Sequence, residues 1–502
     1  MAAGRWVVSS VLAAALAACG GGSSPAPVSG GDGSGGGGGG SGGDGGGSGD
    51  GGGGNGGGST PTVKAPVKLG DFLFYSTDQG LTAELSDASP DEGGNVYVAG
   101  GSAVFAKRRD DQDFKRFDLA TAGLTANCWD PSEIANPKPP GPPHTCPVIS
   151  VAGAAPGKAV VGFQGVGIDY DYDAPWALDS GGADLVTFDG TTLAKERHVF
   201  IASPPGVVCE NWANPPQNTV CNETWSDSTW MSGRKKARQV RHIVVNHDQR
   251  RPLSYGDVLF GATHAVISIL VAHPDDRGWI DSTKGDPAWA ETKGVWEHEH
   301  PALSAPDGRF LSGESTALAL DPTTNIPWFA NEVRTASLPG YVTMSHPTWN
   351  GWWGEMSPVR PFISFWHDAA DATQWDLVTG ISFCDDGTMW VSSYANGLKR
   401  VSPNGAWTQV DLPAGFGDSA SAVACDPSDD SVWVGLGYGG FARWANGWQD
   451  VFPPPGAGWP GFASNPVTRI QIDRWSSPRV VYLTHVASRK LGAGGLTVYA
   501  GR

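Results

Sequence analysis

The densest run of groups able to handle a metal or a proton is Trp296-Glu297-His298-Glu299-His300, with His273, Asp275 and Asp276 upstream. His298 and His300 lie two apart, so an extended strand would turn both toward one divalent ion. No HExxH-like spacing accompanies them, and a solvated polar loop is the plainer use of the run. His264 and His485 fall where a turn is expected after the second strand of a repeated unit, and Glu332, Tyr394 and Tyr438 fall at comparable turns. A histidine with a carboxylate in reach can move protons, so His264, His485 and Glu332 are the catalytic candidates. Tyr394, Tyr438 and the loop tryptophans Trp349, Trp352 and Trp353 are the ligand-binding candidates, since aromatic rings stack on sugars or anchor proteins. The tryptophans have a second use, as small cores that hold long loops in shape. No GxSxG, phosphate-binding or dinucleotide motif occurs in a fitting context, and no cofactor is expected.

These residues hang on a repeat. Ile381–Val391 and Ala422–Val434 each read as an alternating apolar strand, an Asp-containing turn and a second strand with a tryptophan. A Gly turn and two further short strands follow, which makes four strands in about 41 residues. Weaker copies begin near Leu85, Ile149, Ile243, Ala317 and Val467, for a total of seven. The last copy has room for three strands, and Asp71–Tyr75 is expected to supply its fourth. The reading is an all-β, seven-bladed β-propeller over 71–502 with long loop insertions, six or eight blades being the alternatives.

Two stretches resemble the lead-in of two-component-regulator propeller repeats: Phe74–Leu81 (FYSTDQGL) and Phe117–Leu124 (FDLATAGL). Ile381–Arg400 is similar to the core of that repeat, and Ala422–Arg443 is similar with an altered turn. The resemblance implies a propeller in an extracytoplasmic sensor or in an exported binding protein. No kinase-like segment follows the repeats, so direct signalling is not expected.

The N-terminus places this unit. Arg5, an apolar stretch from Trp6 to Ala18, and Leu16-Ala17-Ala18-Cys19 resemble a bacterial lipoprotein signal over 1–18. The resemblance implies acylation of Cys19, a cell-envelope location, and the outer membrane of a Gram-negative bacterium, given Gly20 after the cysteine. Residues 19–70 then form a Gly/Ser-rich linker with almost nothing to bury. Six cysteines remain, an even number for an oxidising compartment. Cys128–Cys146 and Cys209–Cys221 are the expected disulfides, while Cys384 and Cys425 are read as paired or as buried thiols. The net charge of −17 argues against nucleic acid as a partner. The expected partners are the membrane, through the lipid, and a glycan, peptide or protein. The functional expectation is a binding or scaffold module, with a lyase or hydrolase at the channel mouth as the alternative.

Overall fold

Short apolar runs rich in Val and aromatic residues, cut by Asp, Asn and Gly, favour strands joined by tight turns. The structure is a computed structural model. It describes residues 63–124, 126–128, 144–165, 181–199, 239–250, 255–256, 258–262, 268–272, 296–299, 316–325, 327–330, 334–337, 362–364, 377–452, 458–487 and 492–501. Among the described residues the fold is all-β, with two short 3-10 turns at Thr77–Gln79 and Gly461–Ser464.

The strands form seven antiparallel sheets of four or five strands and one small hairpin. The chain enters at β1 (Val67–Leu69) and β2 (Phe72–Tyr75), which belong to the last sheet. The first sheet is β3 (Asp87–Pro90), β4 (Val96–Gly100), β5 (Ala103–Lys107) and β6 (Lys115–Asp118). After the hairpin of β7 (Asn127–Cys128) and β8 (His144–Thr145), the second sheet is β9 (Val148–Gly153), β10 (Lys158–Phe163), β11 (Ala183–Phe188) and β12 (Leu193–Val199). The third is β13 (Val240–Val245), β14 (Val258–Ala262), β15 (Ser268–Ala272) and β16 (Trp296–Glu299). The fourth is β17 (Ala317–Leu320), β18 (Pro327–Ala330), β19 (Arg334–Ser337) and β20 (Phe362–Ser364). The fifth is β21 (Val378–Phe383), β22 (Met389–Ser393), β23 (Gly397–Val401) and β24 (Trp407–Val410). The sixth is β25 (Ala420–Cys425), β26 (Val432–Leu436), β27 (Phe441–Trp444) and β28 (Trp448–Phe452). The last is β29 (Val467–Asp473), β30 (Val480–His485) and β31 (Gly495–Ala500), completed by β2 and β1. Each of the seven sequence copies thus opens a sheet of its own.

Burial explains the composition of each strand position. Second strands such as β4 (VYVAG) and β26 (VWVGL) are buried along their whole length and read as continuous apolar runs. Fourth strands such as β6 (KRFD) and β24 (WTQV) are largely exposed and carry the polar residues. The first strands touch in succession, β3 with β9, β9 with β13, β13 with β17, β17 with β21, β21 with β25 and β25 with β29. β29 in turn touches β3. Side chains clasp neighbouring first strands: Ser150 Oγ donates to the Val240 carbonyl (2.6 Å), and Thr379 Oγ1 to that of Ala420 (2.8 Å). The Cys425 amide donates to Ser382 Oγ at 2.9 Å.

Two seams are covalent or formed by distant parts of the chain. β2 pairs antiparallel with β31, Phe72 opposite Tyr499 and Tyr75 opposite Leu496, as expected from the missing strand of the last copy. β1 adds a fifth strand that was not anticipated. Cys128 and Cys146 form the expected disulfide, and Cys384 is bonded to Cys425, joining the fifth sheet to the sixth. Cys209 and Cys221 lie outside the described residues, as does Cys19.

Candidate functional site

The first strands enclose a cavity of about 90 Å³, lined from six of the seven sheets by residues that include Asp87, His242, Thr379, Thr468 and Arg469. A recurrent bulge sets this lining. The pairing skips one residue between Val240 and His242, Val378 and Gly380, Ala420 and Ala422, and Val467 and Arg469. The bulge puts His242 opposite Gly261 and Arg469 opposite Thr484, a register shared with Asp87 opposite Ala99 in the first sheet. Three ionisable side chains therefore enter the space at one level.

They engage one another across it. Arg469, on the last sheet, donates to His242 Nδ1 (2.9 Å) and to the Arg241 carbonyl (3.1 Å), both on the third sheet. Asp87 is 4% exposed and accepts the amides of Ala88 (2.9 Å) and Val151 (3.1 Å). Burial pushes the Asp87 carboxyl up to about 6, against the opposing pull of Arg469 and those two amides. Burial, with the charges of Arg469 and Arg241, drives His242 well below the ordinary histidine value. His242 is thus neutral and accepts from the guanidinium, so its ring serves as a strut across the cavity.

A second polar cluster gathers on the turns between first and second strands. Glu92 follows β3, His247 and Tyr255 lie between β13 and β14, and Trp475 follows β29. His247 Nδ1–H donates to Glu92 Oε1 at 2.8 Å, and the Tyr255 hydroxyl donates to the same carboxylate at 2.7 and 2.9 Å. The His247 and Trp475 rings meet edge-on with centroids 4.8 Å apart. Burial disfavours ionised Glu92, but the bonds from His247 and Tyr255 outweigh it and hold the carboxyl below its usual range. Glu92 fixes the tautomer of His247 as an acid partner does in a proton-transfer pair. Sequence reading missed this cluster, because its members are scattered over three repeats among ordinary turn residues. A third pair, His198 Nδ1 with Asp184 Oδ1 at 2.6 Å, bridges β12 and β11.

The residues singled out from sequence fare unevenly. His485 does not sit in a turn. It is the last residue of β30, fully buried, paired with Val467 and Gly495. Its Nδ1–H donates to the Asn465 carbonyl (3.1 Å), its Nε2 accepts from the Thr497 hydroxyl (2.8 Å), and its ring lies against Phe441 and Phe462. The strand runs one residue further than expected, pairing His485 with Gly495, where the lack of a side chain leaves room for the Phe462 ring that packs on the imidazole. Burial lowers the His485 pKa to about 4. Tyr394 and Tyr438 do occupy turns after second strands. Tyr438 is 58% exposed, and burial together with Tyr438 raises the Tyr394 phenol above its ordinary value. His298 lies on β16, pairing with Leu270. His264, Glu332, His300, Trp349, Trp352 and Trp353 lie outside the described residues.

Among the described residues the one grouping of possible metal donors is Cys384, Cys425 and Asp430. Both sulfurs are committed to the disulfide, so the set has no thiolate to offer. No helix among the described residues is long and apolar enough to cross a membrane. No protein-family model matches the sequence, and no curated protein is significantly similar to it.

Proposed function

We propose that the seven sheets are the blades of a β-propeller tethered to the bacterial envelope through lipidated Cys19, and that the propeller is a binding module. The cyclic succession of contacts between first strands supports the propeller, as does a cavity lined by those strands alone. The resemblance of Ile381–Arg400 to two-component-regulator propeller repeats points the same way, and to an extracytoplasmic role. Replacing Cys19 with Ser is expected to abolish incorporation of labelled fatty acid; unchanged labelling would overturn the anchor.

One observation carries the binding reading. Three groups suited by type to acid–base work are committed to partners inside the fold: His242 accepts from Arg469, Asp87 accepts backbone amides, and His485 bonds to Asn465 and Thr497. Among the described residues a shallow surface groove is lined by Phe72, Phe452, Trp459 and Tyr499 together with Asp71 and Asp450, which offers a partner partly open aromatic rings beside carboxylates. The partner is a polysaccharide, peptide or protein. A screen of such ligands against the full-length protein in detergent tests this, with chemical change of any bound ligand monitored in the same samples. Binding without turnover is the expected result. The rival reading, an acid–base enzyme, rests on the Glu92–His247 pair. It predicts turnover that falls roughly 100-fold or more in His247→Gln.

A further inference from the structure

We infer that the groove between the outer strands of the sixth and last sheets is a binding site for an uncharged polysaccharide chain. The inference rests on the binding reading above and names its ligand class. The groove is built where the chain closes on itself. β1 ends at Leu69, Gly70 and Asp71 turn the chain, and β2 begins at Phe72 beside Tyr499 of β31. Asp450 and Phe452 of β28 form the opposite wall, and Trp459 lies against both sides.

Its rings are set in place by one another. Phe72 has centroids of Phe452 and Trp459 at 4.9 Å and of Tyr499 at 5.1 Å, and Trp459 meets Phe74 at 4.9 Å. Tyr499 is braced from behind by Trp433 at 5.0 Å. Phe72 is almost fully buried, while Phe452, Trp459 and Tyr499 keep part of their surface open. The open parts of these rings offer apolar surface to the C–H groups of a sugar, and their mutual packing saves the entropy of fixing side chains on binding.

The polar part of the lining narrows the class. Among the eight described residues that line the groove the charged side chains are two carboxylates, Asp71 and Asp450, and none is Lys or Arg. Carboxylates at the edge of an aromatic platform accept hydrogen bonds from sugar hydroxyls, and they repel uronates, sulfated glycans and nucleic acids. The wall of rings disfavours a hydrophilic peptide, whose backbone amides would be left without partners there.

The test is titration of the full-length protein in detergent with neutral hexasaccharides of glucose, N-acetylglucosamine and mannose, read by isothermal calorimetry. An oligogalacturonate and a Lys-containing peptide serve as competitors. At least one neutral hexasaccharide is expected to bind, the acidic one to bind at least ten-fold more weakly. Trp459→Ala and Asp450→Ala are each expected to weaken binding about ten-fold or more. Asp450 is exposed, so its variant remains informative should the loss of Trp459 disturb folding. Glycan binding that both variants leave unchanged would overturn the groove and leave the binding reading standing. Binding of the peptide alone would overturn the ligand class, and no binding of any hexasaccharide at millimolar concentration would overturn the inference altogether.

Discussion

Phe74→Ala probes the seam at which the N-terminal strand β2 joins β31 of the last sheet. Phe74 sits at the centre of β2, opposite Thr497 on one side and Val67 on the other, and is 1% exposed. Its ring packs on Trp459 (4.9 Å) and Phe462 (6.2 Å). Truncating so enclosed a ring removes its transfer free energy and leaves a cavity that rigid neighbours cannot fill, a cost of about 3–5 kcal/mol. In equilibrium terms that is roughly a 150- to 4000-fold shift toward the unfolded state. A suitable control is Trp407→Ala on β24, where the ring is 40% exposed and lies 3.7 Å from the ammonium of buried Lys399; about 2 kcal/mol is expected there. Urea unfolding followed by circular dichroism compares the two. If the N-terminal strand is an integral part of the last sheet, Phe74→Ala lowers the midpoint of the main transition well below that of the control. A midpoint indistinguishable from the parent would mean that β2 is a detachable flap and that the seam does not hold the fold.

Two further outcomes are expected. The Cys384–Cys425 bond closes a loop of 41 residues, so a double Cys→Ala variant should lose about 4 kcal/mol, against about 3 kcal/mol for the 18-residue separation of Cys128 and Cys146. Peptide mapping without reductant should recover both linked pairs, and free thiols at either pair would refute the assignment. His485 has its pKa depressed from 6.5 to about 4 in the folded protein, so the unfolded chain binds the extra proton first as pH falls. Its contribution is complete above pH 6.5, declines between 6.5 and 4, and amounts to about 3 kcal/mol. Asp87 runs the opposite way, its carboxyl raised from 3.8 to about 6, and favours the folded state as pH falls through that window. The parent therefore masks the histidine, and the decisive quantity is the stability difference between parent and His485→Gln. That difference should change by about 3 kcal/mol from pH 7 to pH 4, and a flat difference would show that the imidazole is not held neutral.

Much of the fold could be read from local pattern. Ile381–Val391 and Ala422–Val434 alternate with period two around Asp turns, and those turns are built as the residue types suggest. Asp386 accepts the Thr388 amide at 2.7 Å, and Asp426 that of Ser428 at 2.9 Å. The strand that completes the last sheet could be found by counting, since the final copy had three strands and Asp71–Tyr75 had no partner. β1 could not, because Val67-Lys68-Leu69 is too short to carry a periodic signal and pairs only because β2 offers an open edge.

The site was less legible, for a geometric reason. Arg469 meets His242 across 227 positions of sequence, and Tyr255 meets Glu92 across 163. Nothing local in either repeat marks those residues as facing each other, since the meeting depends on how successive sheets are arranged. The groove is equally non-local, joining residues near position 70 with others near 450, 459 and 499. His485 fails differently. Side chains alternate across a strand, so the assignment of function to its last residue turns on where the strand stops. One more ladder pair, His485 with Gly495, moves the imidazole from a solvent-facing turn to a sealed interior. Both ring nitrogens then act as internal hydrogen-bonding groups, and the base that acid–base chemistry would need is the same base that burial has made too weak to take up a proton at neutral pH.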